Sequence, residues 1–272
     1  VGAPRLHAPT KLDPVFKPEY REISFQQAKH VKRLTEKYGV GFHVNAYGEA
    51  IEWGHEKLKI FGPNVVIGHG TGLSKKGIEI LRRTDTKVAH CPTARRHYSY
   101  AEGCPVIELI DAGVTVGISS DYTAQDRTGD NFRDVKIAIM HQRQRFHDPS
   151  VFPPGKALEM ATIDGARVLG LDHITGSLEV GKKADLLLIN MEQPHLKPLW
   201  MIPQRVVYQV TGHDVDTVLV DGKILMEGRK VKSVNEKKIL RDAEREGAKI
   251  VERCGLKPFL GIPDKFWGHS RY

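Results

Sequence analysis

Hydrophobic positions along the first two thirds of the chain fall into two alternating rhythms. After Ser24, residues Phe25, Ala28, Val31, Leu34 and Tyr38 recur at helical spacing, so a helix is predicted that stops at Gly39. Val40, Phe42 and Val44 then alternate with Gly41, His43 and Asn45. That is a strand, and its period of two turns His43 and Asn45 to the same face. The unit recurs at 64–69 (NVVIGH), 86–91 (TKVAHC) and 114–121 (VTVGISSD), each after a helix-like segment; the last of these, Val106 to Ala112, stops at Gly113. Helix alternating with short apolar strand is the pattern of a parallel sheet with crossover helices. The strands end on polar residues able to do chemistry. In a parallel barrel the active site lies at the C-terminal strand ends, so His69, His90 and Asp121 are expected there. Two longer helices are predicted at about 130–147 and, after Pro153 and Pro154, at about 155–169.

Beyond Gly170 the rhythm shortens. Residues 184–190, 205–210 and 217–220, the last turning at Asp221-Gly222 into 223–226, read as strands of a small β appendage. A charged helix at about 235–253 and a Pro-, Gly- and aromatic-rich tail follow. The expected divisions are a barrel portion at 1–175, a small β-sandwich portion at 176–235, and a helix and tail at 236–272. Four parallel strands leave two long apolar edges unpaired, which soluble proteins avoid. The missing strands are therefore expected from another chain: an N-terminal fragment of the same original polypeptide, a separately encoded subunit or a second copy.

Composition narrows the chemistry. The 272 residues are 40% hydrophobic, enough for a substantial core. Cys91, Cys104 and Cys254 are odd in number and lack CxxC spacing, so neither a disulfide framework nor a thiolate zinc site is expected. Any metal would rest on histidine and carboxylate. The net charge of +8 could suit an anionic partner, but basic and acidic residues mix, notably from Glu236 to Arg253. That mixture is a solvated helix face, and nucleic-acid binding is not expected. No stretch approaches the roughly 20 apolar residues of a membrane span, and no charged-then-apolar leader opens the chain, so a cytoplasmic protein is expected. A start at Val1 rather than Met suggests a processed, cleaved or incomplete chain.

The segments VVIGHGTGL, KVAHCPTA, AGVTVGISSD, ALEMATIDGARVLGL, ITGSLEVGKKADLLLIN and DVDTVLVDGKIL, in this order, resemble blocks of the amidohydrolase superfamily, in its aminohydrolase and chlorohydrolase branch. The resemblance covers residues 39 to about 230. It implies an α/β fold: the second half of a (β/α)8 barrel with part of a small β-sandwich, completed by a chain that carries a His-x-His pair. It also implies one or two divalent metal ions, zinc first and cobalt, manganese or iron as alternatives, and a higher oligomer. By resemblance Asp121 is a metal ligand and takes the proton of the attacking water, while His69 ligates a metal or hydrogen-bonds water and substrate. His90 lies in the HCPT block and is read as structural. The fifth strand of the family carries two histidines one residue apart, the second a ligand, and a glutamate three residues later. Here the ligand falls on Asn45 and the glutamate on Gly48; a shift of two would place them on His43 and Ala46. Glu49 is one residue beyond Gly48.

The reaction expected from this set is hydrolysis of a small molecule at a non-peptide C–N or related bond. Ring deamination needs a carboxyl group to protonate a ring nitrogen. With the glutamate absent, an amide, urea, carbamate or thiocarbamate is the expected substrate, since a polarised carbonyl asks less. Aminohydrolysis or dechlorination of a heteroaromatic ring is the alternative, and a non-catalytic subunit a third. Arg95, followed by Arg96, His97 and Tyr98, is a candidate substrate contact after the seventh-strand block. Gln125, Asp130 and Asn131 are weaker candidates, and Asp130 is also a candidate helix cap.

Overall fold

The computed structural model describes residues 2–6, 18–93, 103–121 and 128–261. Five parallel strands, β1 (Gly2–Leu6), β2 (Phe42–Ala46), β3 (Val65–His69), β4 (Lys87–His90) and β5 (Val116–Ile118), pair in chain order. Helices α1 (Pro18–Tyr38), α2 (Ala50–Trp53), α3 (Lys75–Arg83) and α4 (Val106–Asp111) connect them, with a π-helical turn, Gly54–Leu58, continuing α2. Then come α5 (Asn131–Phe146), α6 (Pro154–Ala161) and α7 (Ile163–Leu169). A second, antiparallel sheet holds β6 (Leu186–Ile189), β7 (Val215–Val220), β8 (Lys223–Glu227) and β9 (Lys230–Val231). Helix α8 (Ile202–Tyr208) lies between β6 and β7, and α9 (Glu236–Arg253) follows β9.

Period-two alternation builds the core. Phe42, Val44, Ala46, Ile67, Val88 and Val116 are buried on one face of the parallel sheet, among Ile51, Leu81, Leu109, Ile139 and Met160 from the helices. Each such side chain contributes about 1.5–3 kcal/mol on burial. The opposite face is different. Register pairs Asn45 with Gly68, Gly68 with Ala89 and Ala89 with Gly117, so a row of small residues crosses the sheet. A Cβ on Gly117 would stand 3.0 Å from the Gly165 Cα and 3.2 Å from Val168 Cγ2, so α7 rests on this face at backbone distance. An open cavity of about 1040 Å3 borders the same face, lined by Gly41, His43, Val66 and Ala89, by α7 and by Leu186 and Leu187 of the second sheet.

Three expectations are corrected. A fifth strand, β1, precedes the four read from the sequence and pairs with β2. Residues 205–210 are mostly helical, in α8, rather than a strand; Pro203 sits in its first turn, where a missing N–H costs nothing. The helix expected at 155–169 is broken at Thr162 (φ −124°, ψ −96°) into α6 and α7. The hairpin at Asp221-Gly222 forms as read.

Candidate active site

Strand β3 ends on His69, and Asp121 lies just beyond β5. Both residues are left-handed, with φ of 71° and 58°. Such a backbone is uncommon outside glycine and concentrates where function demands it. The two side chains converge: His69 Nε2 is 3.5 Å from Asp121 Oδ2. The His69 side chain is 5% exposed and that of Asp121 32%, so a buried imidazole faces a carboxylate that solvent reaches. Glycines at positive φ, Gly70 and Gly72, follow His69 and turn the chain away from the strand.

At the end of β2, His43 and Asn45 share a face, as their period requires, while Phe42, Val44 and Ala46 are buried on the other. An ideal Cβ on Gly68 would lie 2.3 Å from Asn45 Oδ1 and 3.0 Å from His43 Nε2. Both polar groups therefore lean over β3, into room that only glycine leaves. Burial holds the His43 pKa below the ordinary histidine value, and the Asp121 charge pulls the other way. Gly48 is left-handed (φ 47°), and its N–H donates to the Thr71 carbonyl at 2.9 Å, tying the loop after β2 to the loop after β3. Glu49 is exposed at the start of α2 and makes no capping bond. Tyr47 was not singled out by the sequence reading. Its ring stacks on His69, with centroids 5.5 Å apart and planes at 30°. No sequence pattern signals this, because the contact joins adjacent strands.

His90 is buried, and neither ring nitrogen has a hydrogen-bond partner among the described residues. Burial, with a smaller push from His69, lowers its pKa to about 3, so it is a neutral core histidine. Burial pushes the Cys91 thiol up to about 12, which disqualifies it as a nucleophile at neutral pH. Asp134 on α5 is fully buried, accepts a hydrogen bond from the Thr93 hydroxyl, and is pushed up to about 6 chiefly by burial. Asp130 caps α5 through the Phe132 N–H (3.0 Å) and also accepts from the Gly212 N–H (3.0 Å), which links the parallel sheet's helices to the second sheet. Arg95, Arg96, His97, Tyr98 and Gln125 lie outside the described residues.

His69 and Asp121 offer the imidazole and carboxylate donors that zinc takes, and they converge as ligands must. Among the described residues, no group of three or more His, Cys, Asp or Glu side chains could hold a metal ion. The donor types fit a divalent metal, but the set among the described residues is short by at least one histidine or carboxylate ligand.

The Amidohydrolase family model matches residues 18–225. Among curated proteins, a 5'-deoxyadenosine deaminase of Methanosarcina acetivorans is 33% identical over 251 residues, covering 91% of this chain and 57% of that protein. A 5-methylthioadenosine/S-adenosylhomocysteine deaminase of Desulforudis audaxviator is 36% identical over 260 residues, covering 90% and 57%. The chain thus spans little more than half the length of these relatives. Among solved structures, an adenosine deaminase from Xanthomonas campestris with bound zinc aligns at a TM-score of 0.75 and 20% identity, covering 92% of this chain and 65% of that one. A zinc-complexed atrazine chlorohydrolase from Arthrobacter aurescens aligns at 0.69 and 19%, covering 88% and 56%. These last two establish likeness of fold. With the family model covering most of its length, the chain belongs to the amidohydrolase family.

Proposed function

We propose that this chain carries the proton-handling part of a metal-dependent hydrolase that cleaves a C–N bond of a small molecule. The observation that carries this is the His69–Asp121 pair, 3.5 Å apart at the strand ends and held in two left-handed residues. A bound metal would lower the pKa of water to roughly 7, so that hydroxide is available as the nucleophile at neutral pH. Asp121 accepts the proton at Oδ2 and passes it to the leaving group, its partial exposure giving it access to substrate. His69 holds that carboxylate in place through Nε2 where it does not itself ligate the metal. His69, Asp121 and the Asn45 amide oxygen are the donors this chain offers to the metal, with His43 as the alternative on β2. Zinc is favoured by the zinc in two structural neighbours.

The remaining ligands come from a chain bearing a His-x-His pair and the missing strands. The open outer edges of β1 and β5 support this, since among the described residues each pairs on one side only. The substrate class best supported is the amino-substituted ring of an adenine nucleoside, the class named for relatives at 33% and 36% identity. Gly48 favours a second reading, an amide, urea, carbamate or thiocarbamate, because no carboxyl group at that position can protonate a ring nitrogen. Co-expression with a polypeptide supplying the preceding strands, followed by assays of ammonia, chloride and amine or thiol release, separates the readings. Ammonia from an adenine nucleoside, reduced at least about 100-fold by Asp121→Ala, is the expected result. Activity unchanged in Asp121→Ala sinks the proposal, and a complex without metal or activity points to a non-catalytic subunit.

A further inference from the structure

We infer that Tyr47 is a positioning residue for His69, set in place by the left-handed turn at Gly48; this rests on the reading of His69 and Asp121 as the reacting pair. His69 needs such a support. Its strained backbone leaves the regular strand, so the ladder no longer dictates where its ring points. The Asp121 carboxylate meets the ring at Nε2, 3.5 Å away, and a contact at a ring atom does not by itself fix a ring plane. Tyr47 supplies the plane. It lies across the opposite side of the β2–β3 boundary, one residue beyond the pairing of Ala46 with His69, and its ring stacks on the imidazole at 5.5 Å and 30°. Centroid distances of roughly 4.5–7 Å with offset stacking are those at which aromatic pairs attract. The Tyr47 hydroxyl oxygen is buried, so the ring is enclosed by protein at its far end as well.

Gly48 completes the device. Its φ of 47° and the bond from its N–H to Thr71 pull the loop after β2 onto the loop that carries His69. A Cβ at Gly48 would stand 3.4 Å from the Gly72 carbonyl oxygen, and at that φ any side chain is strained. The position that the family resemblance assigns to an acid is here a bend that presses Tyr47 on His69. Gly48→Glu therefore does not restore an acid; it loosens the stack.

The test uses ring-proton resonances of His69 in the full chain, identified by their loss in His69→Gln. In the native chain and in Tyr47→Phe they are shifted upfield by the neighbouring ring, and Asp121→Asn moves them further. In Tyr47→Leu and in Gly48→Glu the upfield shift falls by half or more, and the response to Asp121→Asn shrinks with it. A merely structural Tyr47 would alter the melting temperature and leave that response intact. The inference is overturned if Tyr47→Leu leaves the His69 resonances unmoved, or if the response to Asp121→Asn is the same with and without Tyr47. Should Tyr47→Leu fail to fold, Tyr47→Met decides by the same criteria. None of these readouts needs catalysis, so a failed hydrolase assay and a failed stack are told apart. In an active complex, Tyr47→Leu lowers kcat about tenfold or more with KM little changed, and Tyr47→Phe restores it.

Discussion

Asp134 shows how a single residue tunes the molecule beside its reacting pair. Its carboxyl group is buried on α5 and its pKa stands at about 6, above the 3.8 of a free aspartate. The folded state therefore binds the proton more tightly than the unfolded one. Below pH 3.8 the group costs nothing, and between 3.8 and 6 folding stability falls as pH rises, with the full penalty present above 6. Asp134→Asn removes that penalty while its amide oxygen still accepts from Thr93. It should gain on the order of 1–3 kcal/mol over the native chain at pH 7.5 and nothing at pH 3.5, read from urea unfolding at the two pH values. Equal stability differences at both would show that Asp134 is not the titrating group. At Gly68, by contrast, a methyl group would displace the tip of Asn45, which can swing aside, so Gly68→Ala matters for where Asn45 sits rather than for stability.

At the level of elements, the sheet was largely readable and its surroundings less so. The strands β2 to β5 announce themselves because apolar runs alternate with helix-spaced segments. β1 does not: Gly2–Leu6 is five residues long and contains Pro4, and no apolar alternation marks it as a strand. α8 was mistaken for a strand because Val206, Val207 and Val210 favour β-structure by shape, while burial of Val207 against the barrel helices decides otherwise. His69 and Asp121 were legible from their places after apolar strands and in family blocks, but the Tyr47 stack and the Gly48 turn are products of register and φ that no spacing encodes. α7 illustrates what packing adds. It lies on β5 so closely that Gly117 faces the Gly165 backbone, which cannot swing aside as a side-chain tip can. Gly117→Ala should push α7 off the sheet and cost about 1–3 kcal/mol, measured as a lower melting temperature and faster proteolysis near residues 163–169. A variant as stable as the native chain would mean that α7 is free to move.

On the proposed reading, further strands would meet this chain at surfaces that it displays. Among the described residues the parallel sheet has two open edges, its small-residue face borders a cavity of about 1040 Å3, and Leu187 and Leu188 of the second sheet are half exposed. A closed barrel fills its interior with side chains from all its strands, so on that reading other strands would fill the cavity. On the same reading the metal centre needs further ligands. The chain by itself should bind zinc weakly, and adding a polypeptide that carries His-x-His and the preceding strands should tighten binding at least about 100-fold, as extra ligands and a closed site require. Competition with a chromogenic chelator measures this. Equal affinity with and without the added polypeptide would place the missing ligands within this chain.

The left-handed backbone at Asp121 carries one more consequence, a conflict between durability and activity. Any residue with a Cβ is strained at φ 58°, by roughly 1–2 kcal/mol, whereas glycine is not. The Asp121 side chain is one-third exposed, and its removal gives up the contact with His69. Asp121→Gly should therefore melt no lower than the native chain while losing the proton acceptor. If it instead melts several degrees lower, the aspartate is holding the fold together. Otherwise it is a residue that selection for stability alone would discard, and its presence marks the site where the molecule gives up ruggedness for chemistry.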